Sequence, residues 1–131
     1  MKVVKTVNIS YNIDVTDEDI RDIVCTALEG GIGYWACLDN TGPNWVGDKP
    51  VSEKAADILL NGGTLHFYDA ETKCDEYNID LGMLISGIAR YVSDGKTDII
   101  DEEKHLMCWN IDASIADEIF QYGIFAELVF G

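Results

Sequence analysis

TDEDIRDIVCTALEGGIGYWACL, residues 16–38, joins an amphipathic run to a glycine break and a pair of adjacent aromatics, and the rest of the chain can be placed relative to it. Ile20, Ile23, Val24, Ala27 and Leu28 recur at the spacing that puts them on one helical face, while Asp17, Glu18, Arg21 and Asp22 fall on the other. Thr16 is placed to cap the helix, and the carboxylates behind it favour the positive end of the helix dipole. Gly30 and Gly31 are expected to stop it by taking left-handed backbone. Beyond them Gly33, Tyr34 and Trp35 set an unhindered backbone beside two flat side chains with polar tips, an arrangement equally fit for a binding wall or a core corner.

Upstream, VVKTVNISYNI at 3–13 alternates, with Val3, Lys5, Val7, Ile9, Tyr11 and Ile13 on one side. This predicts a half-buried strand, with Lys5 interrupting the apolar face near its free end, where a charge can reach solvent or guard an edge. Downstream, IGYWACL predicts a second strand over 32–38. The stretch 39–51, DNTGPNWVGDKPV, is the longest irregular segment, and its Trp45 is either a lid over the core edge or a stacking residue. Ser52 reads as the cap of a short helix with Ala55, Ala56, Leu59 and Leu60 inward, stopped at Gly62 and Gly63. TLHFYDA and EYNI flank a polar turn at 72–75 and predict a hairpin. Asp80 then caps a helix with a stripe of Leu81, Leu84, Ile85, Ile88, Ala89 and Val92, and Asp112 caps a last one with Ile115, Ala116, Ile119, Tyr122 and Gly123 on one side. The order predicts an α+β fold, a small mostly antiparallel sheet with helices packed on one face, as a single domain over 1–131. Its core is expected to join Ile23, Val24, Leu28, Leu84, Ile85, Ile88 and Ile119.

Length and composition suit that reading: 131 residues, 47% hydrophobic and 25% charged, with no run long enough to span a bilayer. The N-terminus lacks the unbroken apolar core of a secretory signal, so cytoplasmic folding is expected. Cys25, Cys37, Cys74 and Cys108 form no CxxC pair and are expected as free thiols. Nine Lys and Arg against 24 Asp and Glu give a formal charge of −15. Such a field repels nucleic acid and anionic membranes and attracts basic protein surfaces, over about 8–10 Å at physiological salt.

Catalytic chemistry is thinly supplied. His66 and His105 stand apart from any nucleophile, no Cys or His pair has metal-ligand spacing, and Cys25 lies on the apolar side of its helix. Gly30, Gly31 and Gly33 follow a helix instead of preceding one, unlike a phosphate loop. Asp94, Asp98 and Asp101 resemble a calcium loop without its ligand order or its closing glutamate. No enzyme activity, cofactor or metal is expected.

EGGIGYWACLDN at 29–40, LHFYD at 65–69 and ADEIFQYGIFAELVFG at 116–131 together resemble a family of small proteins encoded by phages and prophages of gut and Gram-positive bacteria. EGG-x-x-YW and QY-x-x-F are its most specific pieces, and Ala126 stands where that pattern has glycine. The resemblance implies an accessory protein that acts by binding, as counter-defence factors do. One form is a sponge for a small nucleotide-type immune signal, with Tyr34, Trp35, Trp45 and Tyr122 to stack a base and Arg21 or Arg90 to meet a phosphate. A second is an acidic inhibitor that covers the basic nucleic-acid-binding surface of a host defence or transcription protein, for which the charge is directly useful. A third is a phage assembly component, which self-association into a homo-oligomer would mark.

Overall fold

The computed structural model describes residues 2–6 and 12–131. Thr16 starts the first helix, α1 (Asp17–Thr26), through a reciprocal capping box. Its hydroxyl accepts from the Asp19 N–H at 3.1 Å, and its own N–H donates to the Asp19 carboxylate at 2.9 Å. Ile20, Ile23, Val24 and Ala27 are buried as the spacing predicts, with Leu28 half-buried at the rim. The helix does not end in left-handed glycine. It widens into a π turn over Ala27–Gly31, and Ile32 N–H returns to the Ala27 carbonyl at 3.0 Å. Gly30 and Gly31 keep negative φ, and what Gly31 supplies is clearance, because a Cβ there would lie 2.8 Å from the Ala113 carbonyl oxygen.

The sheet has the order β1-β2-β3, with β1 (Ala36–Leu38), β2 (Thr64–Asp69) and β3 (Glu76–Asp80) all antiparallel. The strand expected from Ile32 onward begins only at Ala36, because the N–H groups of Trp35 and Ala36 both donate to the Ile32 carbonyl and hold 32–35 in a turn. In the hairpin Leu65 pairs with Ile79 and Phe67 with Tyr77, which turns these four inward, while His66 opposite Asn78 and Thr64 opposite Asp80 face outward. The helices cover the inner face: α2 contacts β2, and α3 and α4 contact β3. The fold is α+β with a small antiparallel sheet.

Helix α2 (Val51–Leu60) starts two residues earlier than a cap at Ser52 implies, because Pro50, with φ fixed at −54°, occupies the capping position. Ser52 lies inside the helix, buried, and donates to the Glu29 carboxylate at 2.9 Å. At the other end Gly62 does take the left-handed conformation, φ +89°, and the Gly63 N–H closes on the Ile58 carbonyl at 2.7 Å. Helices α3 (Leu81–Ser93) and α4 (Ala113–Phe125) begin as expected, with the Asp80 carboxylate accepting from Met83 N–H at 2.8 Å and that of Asp112 from Ile115 N–H at 2.9 Å.

Their packing corrects the expected core. Leu84, Gly87, Ile88, Tyr91 and Val92 form the buried face of α3, whereas Ile85 is 38% exposed and Ala89 is exposed as well. A stripe drawn through bulky side chains alone passes through Ile85. The true contact is centred on Gly87, because α4 lies so close that a Cβ there would meet the Ile119 carbonyl oxygen. Gly123 answers from the other helix, its absent Cβ leaving room for the Met83 carbonyl oxygen at 2.8 Å. Phe120 of α4 reaches the sheet edge-on against Phe67, with centroids 6.4 Å apart.

Among the described residues the expected first strand is not formed. Residues 2–6 are irregular, with Val3 77% and Val4 95% exposed, and Val7, Ile9 and Tyr11 lie outside the described residues. Among the described residues no helix is long and apolar enough to cross a membrane.

Candidate functional site

The glycine-aromatic turn is tied to α4, with Trp35 buried beneath it and Tyr34 53% exposed at its rim. Trp35 is 2% exposed, and its indole N–H donates to one oxygen of Asp117 at 2.7 Å while the Tyr34 hydroxyl donates to the other at 2.5 Å. Gln121, one helical turn along α4, gives its amide N–H to Asp117 at 2.9 Å and accepts the Val129 and Phe130 N–H groups, each at 2.8 Å. Three neutral donors thus satisfy a buried carboxylate. Phe130 stacks on Trp35 at 5.0 Å and 9°, and Tyr77 and Phe125 approach at 5.7 and 5.6 Å. Burial, then the bond to Asp117, pushes the Tyr34 hydroxyl up to about 12.

Beside this corner lies a groove of about 330 Å³, bounded by Tyr34, Phe130, Asp69 and Glu71. Asp69 is held below the ordinary carboxylate range first by the Thr72 N–H and then by the Tyr77 hydroxyl, so it carries its charge there. An anionic ligand would face two carboxylates.

The other expected ligand-binding residues stand elsewhere. Arg21 is bonded to Asp57 at 2.7 Å, and Lys49 takes the second oxygen of the same carboxylate at 3.0 Å. Trp45 closes a 3₁₀ turn, Pro43–Trp45, half-buried on the α2 side, where its carbonyl receives the Lys54 ammonium at 2.7 Å. Arg90 is exposed in the last turn of α3. Tyr122 is buried, its hydroxyl on Asp94 at 2.7 Å and Lys96 over its ring at 5.7 Å. The structure therefore joins Tyr34 to Trp35 and gives Arg21, Trp45, Arg90 and Tyr122 other surroundings. The carboxylates resembling a calcium loop are likewise committed, Asp94 to Tyr122, Asp98 to the Tyr91 hydroxyl and Asp101 to the N–H groups of Glu103 and His105.

Trp109 is the residue that sequence reasoning passed over. It lies in a 3₁₀ turn, Cys108–Asn110, and is 79% exposed. The turn itself is well tied. Met107 N–H donates to the Ile99 carbonyl at 2.7 Å, the Asn110 amide to the Asp98 carbonyl at 3.0 Å and the Cys108 thiol to Asp19 at 3.3 Å, while Leu106 and Ile111 are buried on either side. Burial, followed by the bond to Asp19, pushes the Cys108 thiol up to about 12 and keeps it a neutral donor. Between Trp109 and α1 runs a groove of about 520 Å³ whose walls include Glu18, Asp19 and Asp22. The available signal was CWNID, an indole set between a half-buried cysteine and the cap of α4. The glycines and prolines around Trp45 were the louder one.

Comparison with family models, with curated proteins and with solved structures finds no match for this chain.

Proposed function

We propose that the protein acts by binding, without turnover, as an acidic inhibitor that covers a basic, nucleic-acid-binding surface of another protein. In the phage setting that the family resemblance implies, the partner is a host defence or transcription protein. The observation that carries this reading is where the cations go. Arg21 and Lys49 are spent on Asp57, Lys96 on Glu118 at 3.1 Å, and Lys54 on the carbonyls of Trp45 and Gly47 at 2.7 Å each. A chain with 24 acidic and nine basic residues thus uses much of its scarce positive charge internally, and its surplus carboxylates face solvent. Such a surface steers basic partners and competes with the phosphates they would otherwise hold.

A nucleotide sponge has less support. Arg21 of α1 is paired with Asp57, the open groove beside Tyr34 is flanked by Asp69 and Glu71, and Trp35 is already stacked on Phe130. Titration calorimetry separates the two. Cyclic and linear nucleotides should give no binding heat. A basic nucleic-acid-binding host protein should bind stoichiometrically, release its nucleic acid, and lose affinity at least about tenfold between about 50 and 300 mM salt. Retention of a nucleotide at one per chain, or release of a cleaved product, would overturn the proposal.

A further inference from the structure

Resting on the reading of an acidic binder, we infer that the groove between Trp109 and α1 is its contact point, and that the partner group it receives is an arginine side chain. Three observations converge on this surface. The first is the indole, 79% exposed in a turn whose other residues are anchored, so that little further ordering is lost when something packs on it. The second is that Glu18 and Asp22 stand one helical turn apart on the exposed side of α1 and line the same groove. Among the described residues neither carboxylate is bonded to a cation, because Arg21, which lies between them in sequence, is drawn to Asp57 on α2. The third is Asp19, whose oxygens are occupied by the Thr16 N–H and the Cys108 thiol, so that it fixes the turn against the helix and leaves reception to its neighbours.

Arginine fits this geometry better than lysine. A guanidinium is flat, stacks on an indole face and presents N–H groups along its edge to more than one carboxylate, whereas an ammonium is a compact, strongly hydrated point charge. Tryptophan is also among the residue types enriched at interface hot spots.

The probe is a short peptide alternating arginine and glycine, with its lysine counterpart, titrated into the full chain while the three indole N–H resonances are followed by NMR. The Trp109 resonance, identified by its loss in Trp109→Ala, should move, and those of Trp35 and Trp45 should stay. Trp109→Ala and the double variant Glu18→Gln, Asp22→Asn should each weaken the arginine peptide at least about tenfold with an unchanged circular dichroism spectrum. The lysine peptide should bind at least about threefold more weakly than the arginine peptide. Equal affinity of Trp109→Ala, equal affinity for the two peptides, or self-association through Trp109 in sedimentation would each overturn the inference. The two proposals fail separately. If Trp109→Ala still binds a basic protein with full affinity, the acidic-inhibitor reading stands and this groove is wrong; if the peptide moves Trp109 but no basic protein binds, the reverse holds.

Discussion

Trp35 and Trp109 both sit in short turns, and they are held in opposite ways. At Trp35 the side chain does the holding: the indole N–H reaches 82 residues along the chain to Asp117, and three rings pack on it. At Trp109 everything except the side chain does the holding, through Ile99, Asp98 and Asp19, and the indole is left in solvent. A side chain that carries the bonds of its own turn cannot be lent to a ligand without cost to the fold. One displayed by a turn that is fixed without it can.

The sharpest way to break that comparison is Trp35→Ala. Truncation removes a buried ring and leaves the Asp117 carboxylate short of a donor, so a loss of about 3–5 kcal/mol is expected in chemical denaturation. A loss below about 1 kcal/mol would mean that the corner is not structural.

Alkaline titration probes the same corner without mutation. Burial, then a bond to a carboxylate, pushes the hydroxyls of both Tyr34 and Tyr77 up to about 12. A group whose folded pKa is raised contributes stability that is full below its unfolded value, about 10 for tyrosine, and is lost as pH rises toward the folded one. Stability should therefore fall from about pH 10 toward pH 12, and Tyr34→Phe should flatten the fall. A profile identical in the variant would remove Tyr34 from the account.

How much of this was legible in the sequence depends on whether the deciding contact is local. Thr16, Asp80 and Asp112 cap their helices through residues three positions away, and the hairpin register follows from alternation, so these could be read directly. Gly31 and Gly87 could not. Each is glycine because a carbonyl oxygen of α4 comes within a Cβ radius, and the nearer of those partners lies 32 residues beyond Gly87. The Ile85 error has the same origin, since a close helix crossing turns the buried face toward its smallest residue. Tyr34 and Trp35 were found as a pair, but their role was set by Asp117 on α4, and Trp109 carried no local pattern that distinguished display from burial.

Trp45 stands between the two extremes, half-buried on the α2 side. Trp45→Ala should cost about 1–2 kcal/mol, part of the 1.5–3 that full burial of a large side chain is worth. A cost equal to that at Trp35 would move it into the core class, and no cost would group it with Trp109.

Ala126 offers a gain instead. It ends α4 with φ +62°, the left-handed conformation in which a Cβ is strained and glycine is favoured. Ala126→Gly should stabilise the protein by up to about 1 kcal/mol, less what glycine adds to the disorder of the unfolded chain. It should also tighten the tail that places Phe130 on Trp35, seen as slower exchange of the Val129 and Phe130 amides. Faster exchange would separate the helix end from the corner.

The smallest effect is expected where the functional proposal is largest. With Trp109 79% exposed, Trp109→Ala removes little buried area, and the turn keeps the Met107, Cys108 and Asn110 bonds that anchor it. Its denaturation midpoint should match the parent to within about 0.5 kcal/mol, as for an ordinary surface substitution. A destabilisation above about 1 kcal/mol would mean that the indole braces its own turn as Trp35 does, and the contrast would collapse. An unchanged midpoint has the opposite force, because a large apolar ring that the fold does not use is kept at the surface against its tendency to be covered.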